Sequence, residues 1–221
     1  MIKKFLDRLQ QRTTPDAIPV EAQNDPVGQA IEWTPLKPGG ANFKTHRLVQ
    51  LSPQQYVFKA SLGALIFYAI FIVVGIGVSI GMTYGMWRSH EGDFSIMLLF
   101  PATFGISFAA VGGVMMALGT RPIQFDRQIG WFWVGRRKPT EVFNTSELKK
   151  AVRLEEIHAL QLIREYVHGG RNSAGYYSYE LNLVLKDHSR LNVIDHGKLA
   201  TITSDAQTLA TWLNCPLWRT F

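Results

Sequence analysis

Two uncharged apolar segments, residues 62–87 and 94–120, constrain the fold of this chain more than any other feature. The first has 26 residues, and at about 1.5 Å per residue a helix of that length spans roughly 39 Å, more than the ~30 Å hydrocarbon core of a bilayer. An irregular segment of that length would leave backbone polar groups unsatisfied in lipid. The pair, joined by six residues, therefore predicts a transmembrane helical hairpin.

The charges on either side of the apolar segments predict the membrane topology. Residues 1–60 contain 8 Lys and Arg against 5 Asp and Glu, and residues 121–221 contain 14 against 10. The connection between the apolar segments has Arg88 as its only Lys or Arg. Because basic residues are enriched on the cytosolic side, we expect a multi-pass protein with both termini in the cytosol. Neither apolar segment contains Asp, Glu, Lys, Arg or His, which disfavours a transporter built from one copy.

Residues 1–12 place apolar side chains at helical spacing and predict a short basic amphipathic helix. In one interpretation this helix lies at the membrane interface, and in the other it is a packing element or an unstable tail. The first interpretation brings its basic side chains to membrane lipids with anionic headgroups. The candidates for that contact are Lys3, Lys4 and Arg8.

Residues 13–52 contain five prolines and no sustained apolar period. This composition predicts an extended linker. Within it, Trp33 is a candidate for contact with a partner or with the membrane interface. Ser52 and Pro53 have the pattern of a helix N-cap followed by proline at the first helical position. The helical hairpin is therefore assigned to residues 53–120.

Small residues recur at every fourth position in both apolar segments. Rows of this kind let two helix backbones approach closely. The pattern leaves open whether the two rows face each other or a second copy of the chain, so a homo-oligomer is one of the predictions. The packing candidates are Gly77, Gly81 and Gly85 in the first segment and Gly105, Ala109, Gly113 and Ala117 in the second.

Residues 121–221 have the periods of strands and predict an antiparallel β domain with a C-terminal helix. In one strand, Glu180 and Asn182 alternate with apolar side chains, which predicts a sheet with one face in solvent. The helix is predicted to begin at Ser204 and to end at Asn214. The strands are predicted at residues 122–126, 131–134, 159–167, 179–185 and 191–194.

The order of these features resembles that of a known group of membrane proteins. The helical hairpin is followed by Phe-Asp-Arg-Gln-Ile-Gly-Trp-Phe at residues 125–132, by Leu-Glu-Glu-Ile-His-Ala-Leu-Gln at residues 154–161, and by the final helix. Over residues 60–215 this resembles bacterial two-span inner-membrane proteins with a cytosolic PH-like domain. The resemblance implies an α+β membrane protein whose curved antiparallel sheet, or partly open barrel, is closed by the last helix. It also implies a binding role at the bacterial inner membrane.

Two Asp-His pairs, Asp187-His188 and Asp195-His196, flank one predicted strand and are the strongest candidates for metal chemistry. Adjacent residues on a strand point to opposite faces, so a role in turns is favoured over a metal site. Cys215, the single cysteine, is interpreted as a packing residue. The chain has no glycine-rich phosphate loop and no cysteine cluster. We therefore predict no catalytic residue, no metal and no cofactor.

Two surface clusters are candidates for contact with lipids or partners. The densest basic cluster is either a solvated loop or a contact with lipid headgroups, and it consists of Arg136, Arg137 and Lys138. Three tyrosines belong either to the core or to a contact surface, and they are Tyr176, Tyr177 and Tyr179. The net charge of +6 is modest and is explained by membrane topology, which argues against nucleic-acid binding.

These features together favour binding over catalysis. The leading prediction is a non-enzymatic inner-membrane protein whose cytosolic domain binds a protein partner. One specific form is an immunity protein that blocks a toxin acting at the membrane. The alternative is an oligomeric channel or a transport accessory subunit built on the rows of small residues. A metal-dependent enzyme that uses His188 and His196 is a third and weaker hypothesis.

Overall fold

The chain is an α+β protein whose described residues fall into two compact units. The unit of residues 60–121 contains two long apolar helices, and the flanking segments together form the other, here called the α+β unit. The amphipathic helix predicted at residues 1–12, with Lys3, Lys4 and Arg8, lies outside the described residues. The computed structural model describes residues 18–89, 99–141, 150–170 and 174–221.

The helices and strands are numbered in chain order. The helices are α1 (Val20–Gln23), α2 (Pro26–Ala30), α3 (Leu62–Ser89), α4 (Leu99–Gly119) and α5 (Leu199–Leu213). The strands are β1 (His46–Ser52), β2 (Gln55–Ala60), β3 (Ile123–Asp126), β4 (Trp131–Val134), β5 (Ala151–Arg153), β6 (Ile157–Val167), β7 (Tyr176–Leu185), β8 (Arg190–His196) and β9 (Leu217–Arg219).

The strands form two sheets. The first has the order β1-β2-β3-β4-β5 and the second the order β8-β7-β6-β9. In the first sheet, β3 pairs antiparallel with β2 and with β4, and β4 pairs antiparallel with β5. In the second sheet, β7 pairs antiparallel with β6 and with β8, whereas β9 pairs in parallel with β6. On the first sheet, Phe125 lies opposite Phe132 with ring centroids 4.8 Å apart. This aromatic pair anchors the β3–β4 hairpin that the sequence predicts.

The main core of the α+β unit is formed by apolar side chains from both sheets and from α5. Strands β6 and β7 contribute alternate residues to it because successive side chains point to opposite faces. The predicted strands and the C-terminal helix are confirmed, but α5 begins at Leu199 rather than at Ser204. It ends as predicted at Asn214, whose backbone is left-handed with φ 55°. The largest fully buried core side chains include Phe58, Phe125, Phe132, Leu160, Leu162, Leu181, Leu183, Ile202 and Leu209.

Ser52 and Pro53 lie at a β-turn, so the assignment of the helical hairpin to residues 53–120 is wrong at its start. Ser52 Oγ accepts a hydrogen bond from the Gln54 amide at 3.2 Å, where β1 turns into β2. The first long helix begins only at Leu62. The pattern is ambiguous because proline has the same φ at the first position of a helix and at the second position of a turn.

The segment before β1 is packed and is not an extended linker. Three of its residues are buried in a second core cluster, together with Ala159, Val184 and Trp218 of the sheet. They are Ala22, Ile31 and Trp33. The prediction for residues 13–52 is therefore wrong over its described part. The prolines in this segment delimit short helices and turns, and the tertiary contacts hold those elements in place.

Asp25 connects the N-terminal helices to the sheet. Its Oδ1 accepts the backbone amides of Val27 at 2.8 Å and Gly28 at 3.3 Å, and it thereby caps α2. Its Oδ2 lies 2.8 Å from Nε2 of His158 on β6. Burial alone would raise the pKa of Asp25, but these hydrogen bonds outweigh it and the pKa is lowered.

Helices α3 and α4 are long and apolar enough to cross a membrane, as judged by length and composition. The contact between them uses only part of the predicted rows. Gly105 packs against Gly75 and Ser79, and the backbone of Ala109 lies against Gly75. Four predicted packing residues have open space around them: a Cβ added there would meet no described residue within 4 Å. They are Gly77, Gly81, Gly85 and Gly113. Ala117 is exposed.

The helix period explains this division. Gly105, Ala109 and Gly112 recur at intervals of four and three and so lie on one face, whereas Gly113 is rotated about 100° from Gly112. Gly105 and Ala109 lie at the contact between the two helices, whereas Gly77, Gly81, Gly85, Gly113 and Ala117 lie outside it among the described residues. Contact of the latter with a second copy stays a prediction.

Substitution of Gly112 and of its neighbour Gly113 by alanine separates packing within the hairpin from helix propensity. A Cβ at Gly112 would lie 2.7 Å from the Phe71 Cβ and 3.0 Å from the Ile72 amide. We expect Gly112→Ala to destabilise the helix contact by about 1–3 kcal/mol, and Gly113→Ala to be neutral or slightly stabilising. Thermal unfolding of the full chain in detergent micelles measures both. Equal melting temperatures for the two variants would contradict the observed contact.

Candidate functional site

A strap formed by residues 32–45 crosses the face of the second sheet that is opposite α5. Side chains of the sheet donate hydrogen bonds to its backbone carbonyls. Gln161 Nε2 donates to Glu32 at 3.0 Å, and Arg190 Nη1 donates to Thr34 at 2.8 Å. Further along, the Tyr176 hydroxyl donates to the Gly40 carbonyl at 2.8 Å. In these three hydrogen bonds the strap contributes backbone carbonyls, so they do not depend on which side chains the strap carries at those positions.

Glu180 is the centre of this interaction. Its carboxylate accepts hydrogen bonds from the backbone amides of Leu36 at 2.8 Å and Lys37 at 2.7 Å, and from Asn182 Nδ2 at 2.6 Å. Glu180 is only 3% exposed and Asn182 is fully buried. The prediction that this face of the sheet lies in solvent is therefore wrong, because the strap replaces water as the hydrogen-bonding partner of the polar side chains.

A polar cluster continues from Glu180 along the sheet, with Asn192 buried and Lys150 and Asp195 half-buried. Lys150 Nζ donates to the Asn192 carbonyl, and Asn192 Nδ2 lies 3.3 Å from both carboxylate oxygens of Asp195. Burial and the charge of Glu180 raise the pKa of Asp195 to about 7. Burial, together with the charge of Lys37, lowers the pKa of Lys150 to about 8. Both groups thus titrate closer to neutrality than they do in water.

The two Asp-His pairs have different environments. Asp187 Oδ1 accepts the amide of Ser189 at 2.9 Å and His188 has φ 69°, so this pair lies in a turn as predicted. Asp195 and His196 instead belong to β8, and His196 is fully buried. Burial lowers the pKa of His196 to about 4 and keeps the ring neutral. The turn prediction is therefore wrong for the second pair, which contributes to the packed end of a strand.

Asp195→Asn is expected to change the pH dependence of stability in a defined direction. In the unfolded chain Asp195 releases its proton near pH 3.8, whereas in the folded protein it does so near pH 7. The folded state binds more protons between these values, so the contribution of Asp195 to stability falls as pH rises from about 4 to about 7. The variant should match the parent near pH 4 and be more stable at pH 8. Urea titrations across this range measure the difference, and parallel stability curves would contradict it.

At the far end of β6 and β7, the face that carries the core extends beyond α5 and becomes exposed. Leu160 and Leu162 are fully buried on this face, while Arg164 and Tyr166, which continue the same alternation, are exposed. Tyr166 lies opposite Tyr177 with ring centroids 5.1 Å apart, and both are nearly half exposed, at 45% and 49%.

Arg164 joins these tyrosines to the C-terminal residue. Its guanidinium carbon lies 5.4 Å from the ring centroid of Tyr177 and 5.7 Å from that of Phe221. Phe221 in turn packs edge-on against Tyr179 at 5.4 Å and remains 37% exposed. We call the set of Arg164, Tyr166, Tyr177 and Phe221 the distal patch. Its contacts are within the range of cation-π and aromatic interactions.

An open groove of about 770 Å³ adjoins the distal patch and shares Phe221 with it. The groove lies between α5 and the C-terminal residues, and its lining includes Leu199, Thr203, Gln207 and Arg219. None of the described residues that line it is acidic. Within the described part of the chain, the guanidinium groups of Arg164 and Arg219 form no ion pair with a carboxylate. The groove and the patch thus form one apolar and aromatic surface with two arginines.

The predicted partner contacts are only partly exposed. Trp33 is 4% exposed and packs on Trp218, so its assignment to a contact surface is wrong. Of the two alternatives for the tyrosines, Tyr179 belongs to the core, while Tyr176 is half-buried and contacts the strap. Only Tyr177 faces solvent. Arg164 and Tyr166 were not identified from the sequence. They continue the alternation of β6 on the face that carries Leu160 and Leu162, but the sequence does not show where α5 stops covering that face.

The remaining candidates add no chemistry to this surface. Arg136, Arg137 and Lys138 are exposed, and their contact with lipid headgroups stays a prediction. Over the described ranges, no group of three or more His, Cys, Asp and Glu side chains is arranged to hold a metal ion. Cys215 packs against the main core, and burial raises the pKa of its thiol to about 11. Comparisons with known protein families, with curated proteins and with solved structures give no match.

Proposed function

We propose that the chain is a non-enzymatic protein-binding module anchored in the bacterial inner membrane by α3 and α4. The observation that carries the proposal is the exposed aromatic surface at the distal patch and groove. Interfaces are enriched in Tyr, Phe and Arg, whereas isolated exposed apolar residues need no explanation. Here the four side chains of the distal patch are of these interface types, and they lie together next to a groove.

The chain connectivity supports a hairpin anchor. The helical unit is inserted between β2 and β3, and these strands pair directly, with Gln55 opposite Asp126 and Phe58 opposite Ile123. The segments on both sides of the insertion therefore belong to one folded unit. They must lie on the same side of any membrane that the helices cross, because a strand pair cannot form across a bilayer. Two crossings satisfy this condition, and the basic flanks favour the cytosol for that side.

Cysteine labelling tests this topology. The single-cysteine variants Gln29→Cys and Lys186→Cys are made in a Cys215→Ser background. Both positions are exposed, and they represent the segments before and after the two long helices. We expect a membrane-impermeant maleimide to label neither in intact spheroplasts and both after permeabilisation. Labelling of one or both sites in intact spheroplasts would contradict the proposed cytosolic location of the α+β unit.

Cross-linking of the full chain in intact cells tests the binding role. We expect the same protein to be recovered in every replicate, with its cross-links on the α+β unit rather than on α3 or α4. Failure to recover a reproducible partner would overturn the proposal.

Two narrower functions stay predictions with tests of their own. For an immunity protein, deletion should sensitise cells to a toxin encoded nearby, and unchanged survival would exclude this form. For an oligomeric channel, the relevant glycines are those at which an added Cβ would meet no described residue of the hairpin. Gly81→Leu should then abolish both oligomer and ion flux, and a monomer in a lipid disc would exclude that function.

A further inference from the structure

The distal patch and groove differ in composition from an anionic-lipid site. Their charged side chains are Arg164 and Arg219, and their described members include no lysine. Attraction to an anionic membrane grows with the number of basic residues and typically uses clusters of four to eight. Planar guanidinium groups recognise both carboxylates and phosphates in a bidentate manner, but their combination with exposed Tyr and Phe side chains is the composition of protein interfaces. The composition therefore favours a protein segment as the occupant.

The charge of the surface also selects among protein segments. Residues 1–17 contain four Lys and Arg against two Asp, so this segment of the same chain has the wrong sign. A second copy that docks through the same surface brings arginine against arginine, which is unfavourable. The apolar lining at Leu199 and Phe221 requires an apolar anchor as well as an acidic group.

We infer that the distal patch and groove bind an acidic segment of a partner protein. Carboxylates of that segment pair with Arg164 and Arg219, and its aromatic or aliphatic side chain occupies the groove beside Phe221. This inference rests on the proposed function and specifies where and by what chemistry the partner is recognised. The cation-π contacts of Arg164 with the rings of Tyr177 and Phe221 restrain the guanidinium before binding, which lowers the entropy cost of pairing.

A library of random peptides displayed on phage is the probe. The full chain is reconstituted in discs of neutral phosphatidylcholine, and phage that bind empty discs are removed first. We expect the selected peptides to contain Asp or Glu close to an aromatic or aliphatic residue. A selection that gives no binder, or binders without acidic residues, would overturn the inference.

Charge reversal then locates the site of a selected peptide by fluorescence anisotropy. Arg219→Glu is expected to raise the Kd at least tenfold, because a repulsive pair replaces an attractive one. Arg164→Glu gives a second, independent variant in case one of them folds poorly. Lys186→Glu makes the same charge change at an exposed turn at the opposite end of β7 and should change the Kd less than twofold. Affinity that is unchanged in both arginine variants would overturn the inference.

Two competitors distinguish the other occupants. A synthetic peptide of residues 1–17 should not displace the selected peptide, and discs with an equal mixture of phosphatidylserine and phosphatidylcholine should not raise its Kd through occupation of the groove. Competition by either would overturn the inference in favour of that occupant. If a cross-linked partner binds the Arg164→Glu and Arg219→Glu variants as well as it binds the parent, the inference about the site is overturned, while the proposed function itself stands.

Discussion

Glu180→Ala is expected to lower the free energy of unfolding of the α+β unit by about 3 kcal/mol or more. The change leaves the amides of Leu36 and Lys37 and the side chain of Asn182 without the acceptor that they share. Hydrogen bonds to charged groups contribute about 1.5–3 kcal/mol each, and an unpaired buried donor costs about 1–3 kcal/mol. The effect is large because water does not reach a residue that is 3% exposed.

Urea unfolding of the full chain in micelles measures this loss, and amide hydrogen exchange at Leu36 and Lys37 locates it in the strap. Glu165→Ala is the matched control. Its carboxylate also accepts a strap amide, that of Gly39 at 2.9 and 3.0 Å, but it does so in contact with solvent. We expect a cost of less than about 1 kcal/mol there. Equal losses for the two variants would show that burial of Glu180 does not determine its contribution.

Trp33→Ala is expected to cost about 3–5 kcal/mol, the range for removal of a buried aromatic side chain. Trp33 is 4% exposed, its ring centroid lies 6.0 Å from that of Trp218, and its indole Nε1 donates to the Gly28 carbonyl at 3.0 Å. The change therefore opens a cavity beneath the N-terminal helices. In an extended linker, the same substitution would leave stability unchanged.

Val20→Ala in the same segment is the control, because Val20 is 75% exposed. It should change the free energy of unfolding by no more than about 0.5 kcal/mol. Thermal unfolding followed by far-ultraviolet circular dichroism compares the two variants and does not depend on the tryptophan signal. A Trp33→Ala melting temperature equal to that of Val20→Ala would show that residues 18–33 do not contribute to the folded unit.

The predictions that held depend on local patterns. The strands β6, β7 and β8 and the turn at Asp187 and His188 each follow from a few neighbouring residues. The predictions that failed concern what a side chain meets far away in sequence. The residues that neighbour Trp33 in sequence do not distinguish a linker from a core. Its burial results from contact with Trp218 and its neighbours, which lie far away in sequence.

The candidate surface shows the same division. Tyr177 was identified from sequence because it lies in a tyrosine-rich stretch, and it is exposed. Its partners Arg164 and Phe221 come from distant parts of the chain. Their meeting depends on the register of β6 with β7 and on the course of the chain after β9. No local period contains that information.

By itself the sequence determined the two apolar helices, the antiparallel strands and the C-terminal helix, because hydrophobic period and charge act over a few residues. The tertiary structure alone decided that the N-terminal segment covers the sheet, that Glu180 is satisfied by backbone amides, and that α3 and α4 meet at Gly75 and Gly105. A polar strand residue requires a hydrogen-bonding partner in either case. Whether that partner is water or a strap depends on contacts across more than a hundred residues, which only the folded chain brings together.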